Sequence, residues 1–206
     1  MFTRMLIAGL TGGTGSGKST AARRFEFHEI AIVDADRVGH TLLEPGGQAE
    51  EAVLNRFGDA ILTCGTIDRA KLGQQVFSDS QALASLNGIM KPLIAAEIAA
   101  RCAAFADAGK PVTIVDAALL GDNGTIEDWL EGLILVLSDT DVRVRRLVEA
   151  RGLSEAQARQ RIASQVDPEK KRSIARWVVE NNGSLENLHN QVDHVARELI
   201  TLSRST

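Results

Sequence analysis

The stretch Gly12-Gly13-Thr14-Gly15-Ser16-Gly17-Lys18-Ser19, set directly behind the apolar run Leu6-Ile7-Ala8-Gly9-Leu10, constrains this chain more than any other feature. It satisfies the pattern G-x-x-x-x-G-K-[ST], and that pattern dictates a local shape. Glycines permit left-handed turns and close backbone approach, so successive N–H groups can wrap an anion. A helix beginning near Lys18 turns the positive end of its dipole on the same point. A strand before the loop and a helix after it are the context the arrangement requires. Gly12, Gly13, Thr14, Gly15, Ser16, Gly17, Lys18, Ser19 and Thr20 are therefore assigned to nucleotide phosphate. Lys18 is expected to reach the β- and γ-phosphates, and the Ser19 hydroxyl to meet Mg²⁺.

A chain of 206 residues with 44% apolar content can bury one substantial core. No stretch approaches the roughly 18 uncharged apolar residues of a membrane span. Met1-Phe2-Thr3-Arg4 is not followed by a signal-peptide apolar region and cleavage site. Cys64 and Cys102 stand apart, with neither a C-x-x-C pair nor histidines at ligand spacing, so neither disulfides nor zinc are supported. The expectation is a compact cytoplasmic protein with no membrane partner. The net charge of −4 argues against a nucleic-acid partner held by a broad basic surface. Charge is nonetheless uneven: Arg143 to Arg176 holds ten Lys/Arg against four Asp/Glu, a balance of +6 that leaves −10 elsewhere. Such clustering suits a small polyanion, the plainer alternative being a solvated helical face.

Short apolar runs at 6–10, 30–33, 112–115 and 133–137, with a weaker one at 177–179, read as strands. Helical patterns cover 18–27, 49–57, 69–77, 80–87, 91–108, 141–150, 154–165, 168–175 and 185–203. Strands without polar alternation belong to a parallel sheet covered on both faces. The fold class is therefore α/β, a central parallel sheet of about five strands wound by helices. Two insertions, 37–108 and 141–176, read as helical without strands. In an open parallel sheet ligands gather at the carboxyl ends of the strands, so the first insertion would floor a second substrate and the other would form a lid.

Carboxylates close two of the strands. Asp34-Ala35-Asp36 follows the second, and one of them could accept a hydroxyl proton during phosphoryl transfer. On extended backbone Asp34 and Asp36 would point oppositely; turn or capping roles are the alternative. Val112-Thr113-Ile114-Val115-Asp116 closes the third strand with an acid able to hold Mg²⁺ directly or through water. In the basic insertion Arg146, Arg151, Arg159 and Arg161 are candidates for neutralising a migrating phosphoryl group. The four histidines read as surface or capping residues, Trp129 and Trp177 as core, and the Ala-rich helix near 91–106 as packing.

Base-reading motifs separate the classes of phosphate-loop protein. A regulatory GTPase needs N-K-x-D and a transporter ATPase L-S-G-G-Q; both are absent, leaving a small-molecule kinase. Thr11–Thr20, Val33-Asp34-Ala35-Asp36, Glu44-Pro45-Gly46, Arg56-Phe57-Gly58, Ile67-Asp68-Arg69, Lys91-Pro92-Leu93-Ile94 and Asn181-Asn182-Gly183 occur in the order that resembles bacterial dephospho-CoA kinases. The resemblance implies a three-layer phosphate-loop kinase fold and ATP-dependent phosphorylation of the ribose 3′-hydroxyl of dephospho-CoA. It implies Asp36 as general base, Lys18 and Ser19 on phosphate and Mg²⁺, and Arg146 as the lid arginine. The nucleotide core would comprise 1–36, 109–140 and 177–206, with 37–108 on the CoA side and 141–176 as lid. Ala118-Leu119-Leu120-Gly121-Asp122 stands where the family has a P-L-L-F-E-like stretch. Another nucleoside or metabolite kinase, or a non-catalytic nucleotide-binding module, are the alternative readings.

Overall fold

The structure, a computed structural model, describes residues 5–205; the Met1–Arg4 segment read above for a targeting signal lies outside the described residues. The chain divides into two compact units, one of 1–33 with 104–206 and the other of 34–103. The first is organised by a five-stranded sheet in the order β2-β5-β1-β6-β7. Its strands are β1 (Leu6–Gly12), β2 (Ala31–Asp34), β5 (Val112–Asp116), β6 (Leu133–Leu137) and β7 (Trp177–Glu180). β1 runs parallel to both β5 and β6, and β6 runs parallel to β7. Every residue of β5 and β6 is buried, which is why these strands read as continuous apolar runs.

One face of the sheet sends Leu6, Ala8, Leu10, Ile114, Ile134, Val136 and Val179 into a single core. Helix α1 (Lys18–Phe27) answers with Ala21, Ala22 and Phe25, and α8 (Leu185–Ser205) with Leu188, Val192, Val195, Ala196 and Leu199. The α8 positions recur at helical spacing and form one apolar stripe. Trp177 joins this core and donates its Nε1–H to Glu198 Oε2 at 2.7 Å. Trp129, expected in the core, is 45% exposed instead. After β6 come α6 (Thr140–Arg151) and α7 (Glu155–Ala163), joined by a small cluster of Val144, Leu147 and Ala158. The helix expected over 168–175 is only a 3₁₀ turn, Pro168–Lys171.

The second unit departs most from expectation. Asp34 is the last residue of β2, and its side chain accepts from the Arg37 N–H at 2.9 Å and caps α2 (Ala35–Thr41), which begins at the next residue. The premise of extended backbone therefore fails, and Asp36 sits in the first turn of that helix. The unit also contains strands, a hairpin of β3 (Leu62–Thr63) and β4 (Thr66–Ile67). Its turn residues Cys64 and Gly65 have φ of 51° and 78°, the left-handed pair that a two-residue hairpin needs. α3 (Glu50–Phe57) and α4 (Arg69–Phe77) both contact the 3₁₀ turn at Asp59–Ile61 beside it. The helices expected at 80–87 and 91–108 are one, α5 (Ser80–Asp107), which runs through Pro92. Only Ala82, Met90, Ile98 and Cys102 of α5 are buried, fewer than a packing helix was expected to contribute.

Candidate active site

The phosphate loop is what its sequence demands. β1 ends at Gly12, and α1 starts at Lys18 with Gly17 as its N-cap at φ 94°. A Cβ on Gly12 would meet Val136 O at 2.6 Å, and one on Gly17 would collide with Asn181 Nδ2, so both positions are closed to other residues. No acidic side chain stands in the first turn of α1 to compete for its free N–H groups.

Residues far away in sequence hold the loop open. The Ser16 carbonyl accepts from Asn181 Nδ2 at 2.7 Å, Ser138 Oγ at 3.1 Å and Arg146 Nη1 at 3.4 Å. In a trans peptide the N–H points opposite the carbonyl, so these contacts turn the Gly17 N–H toward the other side of the chain. Arg146 also donates to Gly15 O, Ser138 Oγ, Asn181 O and Asn181 Oδ1, between 3.0 and 3.4 Å. Burial, with Arg145 beside it, lowers the pKa of its guanidinium from the ordinary value. Arg143 is 4% exposed and donates from Nε to Thr14 O at 2.8 Å. Burial lowers its pKa as well, against the pull of Asp167. Arg146 thus lies against the loop's carbonyls, while Arg159, exposed, pairs with Glu155 and Asp141.

Parallel pairing places Asp116 beside Leu10, two residues before the loop's first glycine. There its buried carboxylate forms an ion pair with Lys18 Nζ. Ser19 follows Lys18 in the first turn of α1. Ser19 and Asp116 supply hard oxygen donors, and no group of three or more His, Cys, Asp or Glu side chains suited to a metal occurs among the described residues. That donor set fits Mg²⁺, which binds through one or two protein oxygens and substrate phosphates rather than an all-protein cage. Asp36 is exposed in α2, in the second unit.

A cavity of about 180 Å³ lies against the first half of the loop, lined by Gly12, Gly13, Ala118, Asp122, Gln165 and Lys171 among others. Lys171 is 3% exposed and donates to Thr11 Oγ1 at 3.1 Å, Ala118 O at 2.9 Å and Asp122 Oδ1 at 2.6 Å. Asp122, the shortened acid after β5, is therefore the partner of a buried ammonium. Gln165 accepts from the Thr14 N–H at 2.7 Å. Sequence reasoning did not single out Gln165, Lys171, Arg143 or Ser138. The Asn181-Asn182-Gly183 step after β7 was the one available signal for Asn181.

A parallel sheet that feeds a glycine-bounded phosphate loop, with an acid at the end of the neighbouring strand, defines a phosphate-loop kinase fold. The shikimate kinase of Acinetobacter baumannii shares that fold, with a TM-score of 0.52 over 97% of this chain and 96% of that one at 12% identity. The family model described as dephospho-CoA kinase matches residues 6–187, and the chain belongs to the dephospho-CoA kinase family. It is 42% identical over 198 residues to the dephospho-CoA kinase of Corynebacterium glutamicum, covering 96% of this chain and 98% of that protein. A crystal structure from Thermus thermophilus superposes with a TM-score of 0.82 at 32% identity, covering 95% of this chain and 98% of that one.

Proposed function

We propose that this protein transfers the γ-phosphoryl group of ATP to the ribose 3′-hydroxyl of dephospho-CoA, giving coenzyme A and ADP. Family membership across residues 6–187 carries this reading, and the phosphate loop supplies its chemistry. The new bond joins the 3′-oxygen to Pγ, and the bond from Pγ to the β–γ bridging oxygen breaks. The hydroxyl proton passes to the carboxylate of Asp36, which stands in the first turn of α2. Gly12 to Thr20 cradle the nucleotide phosphates. Lys18 exchanges its contact with Asp116 for the β- and γ-oxygens. Mg²⁺, held by Ser19 and Asp116, would neutralise charge on the phosphates. Arg146 adds positive charge at the loop while fixing its carbonyls outward.

The 141–176 segment serves as lid, and the unit of 34–103 as the CoA side. Lid closure excludes water, so that ATP is not hydrolysed in place of transfer. ATP and dephospho-CoA are the small-molecule partners, and no described helix is long and apolar enough to cross a membrane. The cytoplasm, where both substrates are dissolved, is the proposed location. Incubating the protein with ATP–Mg²⁺ and dephospho-CoA should yield coenzyme A by mass spectrometry; phosphorylation of a different acceptor only would overturn the reading.

A further inference from the structure

Gln165 comes after α7 and rests on the phosphate loop. Its Oε1 accepts from the Thr14 N–H at 2.7 Å and from Arg143 Nη2 at 3.3 Å. Both partners can only donate, so the amide has one permissible orientation, with oxygen toward the loop and NH₂ away from it. Arg143 is fixed in turn by its bond to Thr14 O, so Gln165, Arg143 and the residue Thr14 form a closed ring of hydrogen bonds. The anchored half of the amide thus holds the other half in place.

The side-chain donors of the cavity wall can be accounted for one by one. Lys171 spends its ammonium on Thr11, Ala118 and Asp122. Ser164 donates to Arg161 O at 3.0 Å, and Asp122 as a carboxylate only accepts. Leu119, Val166 and Pro168 have no polar side-chain atom, which leaves Gln165 Nε2 as the side-chain donor of this wall with no acceptor among the described residues. The wall also includes Gly12, Gly13 and Ala118, the last lying two residues past the carboxylate that holds Lys18. Lys18 is the side chain that spans the β- and γ-phosphates, so this is the terminal-phosphate end of the loop.

We infer that Gln165 is a further catalytic residue of this site: Nε2 donates to an oxygen of the phosphoryl group in transit, while Oε1 anchors the amide to Thr14. The inference rests on the kinase reading above. A neutral donor held by its own carbonyl meets the growing charge of the transition state without reorganising.

Three substitutions at this exposed position separate donor from anchor. Gln165→Glu keeps an oxygen for Thr14 and Arg143 but has no NH₂; Gln165→Met is neutral and has neither; Gln165→Ala removes the whole group. Coenzyme A formation, KM for ATP and thermal midpoint are measured for each. Loss of the donor is expected to lower kcat roughly 10- to 100-fold in all three variants, with KM for ATP within about threefold of wild type and an unchanged midpoint. Wild-type kcat in Gln165→Glu with loss only in Gln165→Met and Gln165→Ala would reduce Gln165 to an anchor and overturn the inference. A change confined to KM for ATP would overturn it also. Wild-type protein that makes no coenzyme A would instead overturn the kinase reading, so the two failures are distinguishable.

Discussion

Ser16 O, met by three donors from Asn181, Ser138 and Arg146, shows how single atoms keep the phosphate loop in shape before any ligand arrives. Gly17 is the most demanding residue of the loop, since any Cβ there combines a φ of 94° with a collision against Asn181. Gly17→Ala should cost roughly 1–3 kcal/mol of stability and abolish tight ATP binding, measured by thermal denaturation and calorimetric titration. Asp36→Asn removes the proposed proton acceptor from an exposed helix turn and leaves the loop untouched. Its kcat should fall by about 10²–10⁴ while ATP affinity stays within a factor of about two, and near-normal turnover would make Asp36 structural. The loop that carries the glycines, Lys18 and Ser19 was legible in the sequence because its motif is contiguous, each position fixed by its neighbours along the chain. Gln165, Arg143 and Lys171 were not. They reach the loop from about 130 to 160 residues away through tertiary packing, and nothing in their local sequence marks that destination.

Packing of elements follows from periodicity wherever burial is one-sided. The α8 stripe meets α1, and at their edge Asp193 of α8 takes both Arg24 Nε and Nη2, at 2.6 and 2.7 Å, as well as His28 Nε2 at 2.7 Å. The Arg24 hydrogen bonds, more than His28, hold the Asp193 carboxyl well below the usual carboxylate range. A depressed folded-state pKa contributes stability in full above the unfolded value of about 3.9, and loses it as pH falls toward the folded value. The thermal midpoint should therefore decline below about pH 4, and Asp193→Asn should flatten that decline while lowering the midpoint at neutral pH. Short elements were the least legible. α2 has only seven residues and follows directly on the strand end at Asp34, whose side chain takes the capping role that was the alternative reading of Asp-Ala-Asp. The hairpin about Cys64-Gly65 pairs two residues a side, too few for a period of two to register. The helix continues through Pro92, where local propensity alone would break it.

For the whole molecule, the decisive facts are a phosphate loop built into a five-stranded parallel sheet and family membership that spans residues 6–187. The sheet was legible because its central strands β5 and β6 are buried along their whole length and β1 nearly so, and the loop because its motif lies between the first strand and the first helix. If the loop is the nucleotide site, ATP–Mg²⁺ at about 100 times its Kd should stabilise the fold by about 2.7 kcal/mol, read as a raised thermal midpoint that Lys18→Ala diminishes. The acceptor tests the central claim most directly. Release of ADP from ATP–Mg²⁺ should be measured with and without dephospho-CoA, following the acceptor by mass spectrometry. Acceptor-dependent ADP release with matching formation of coenzyme A is the predicted result; ADP release indifferent to dephospho-CoA, with no coenzyme A formed, would contradict it.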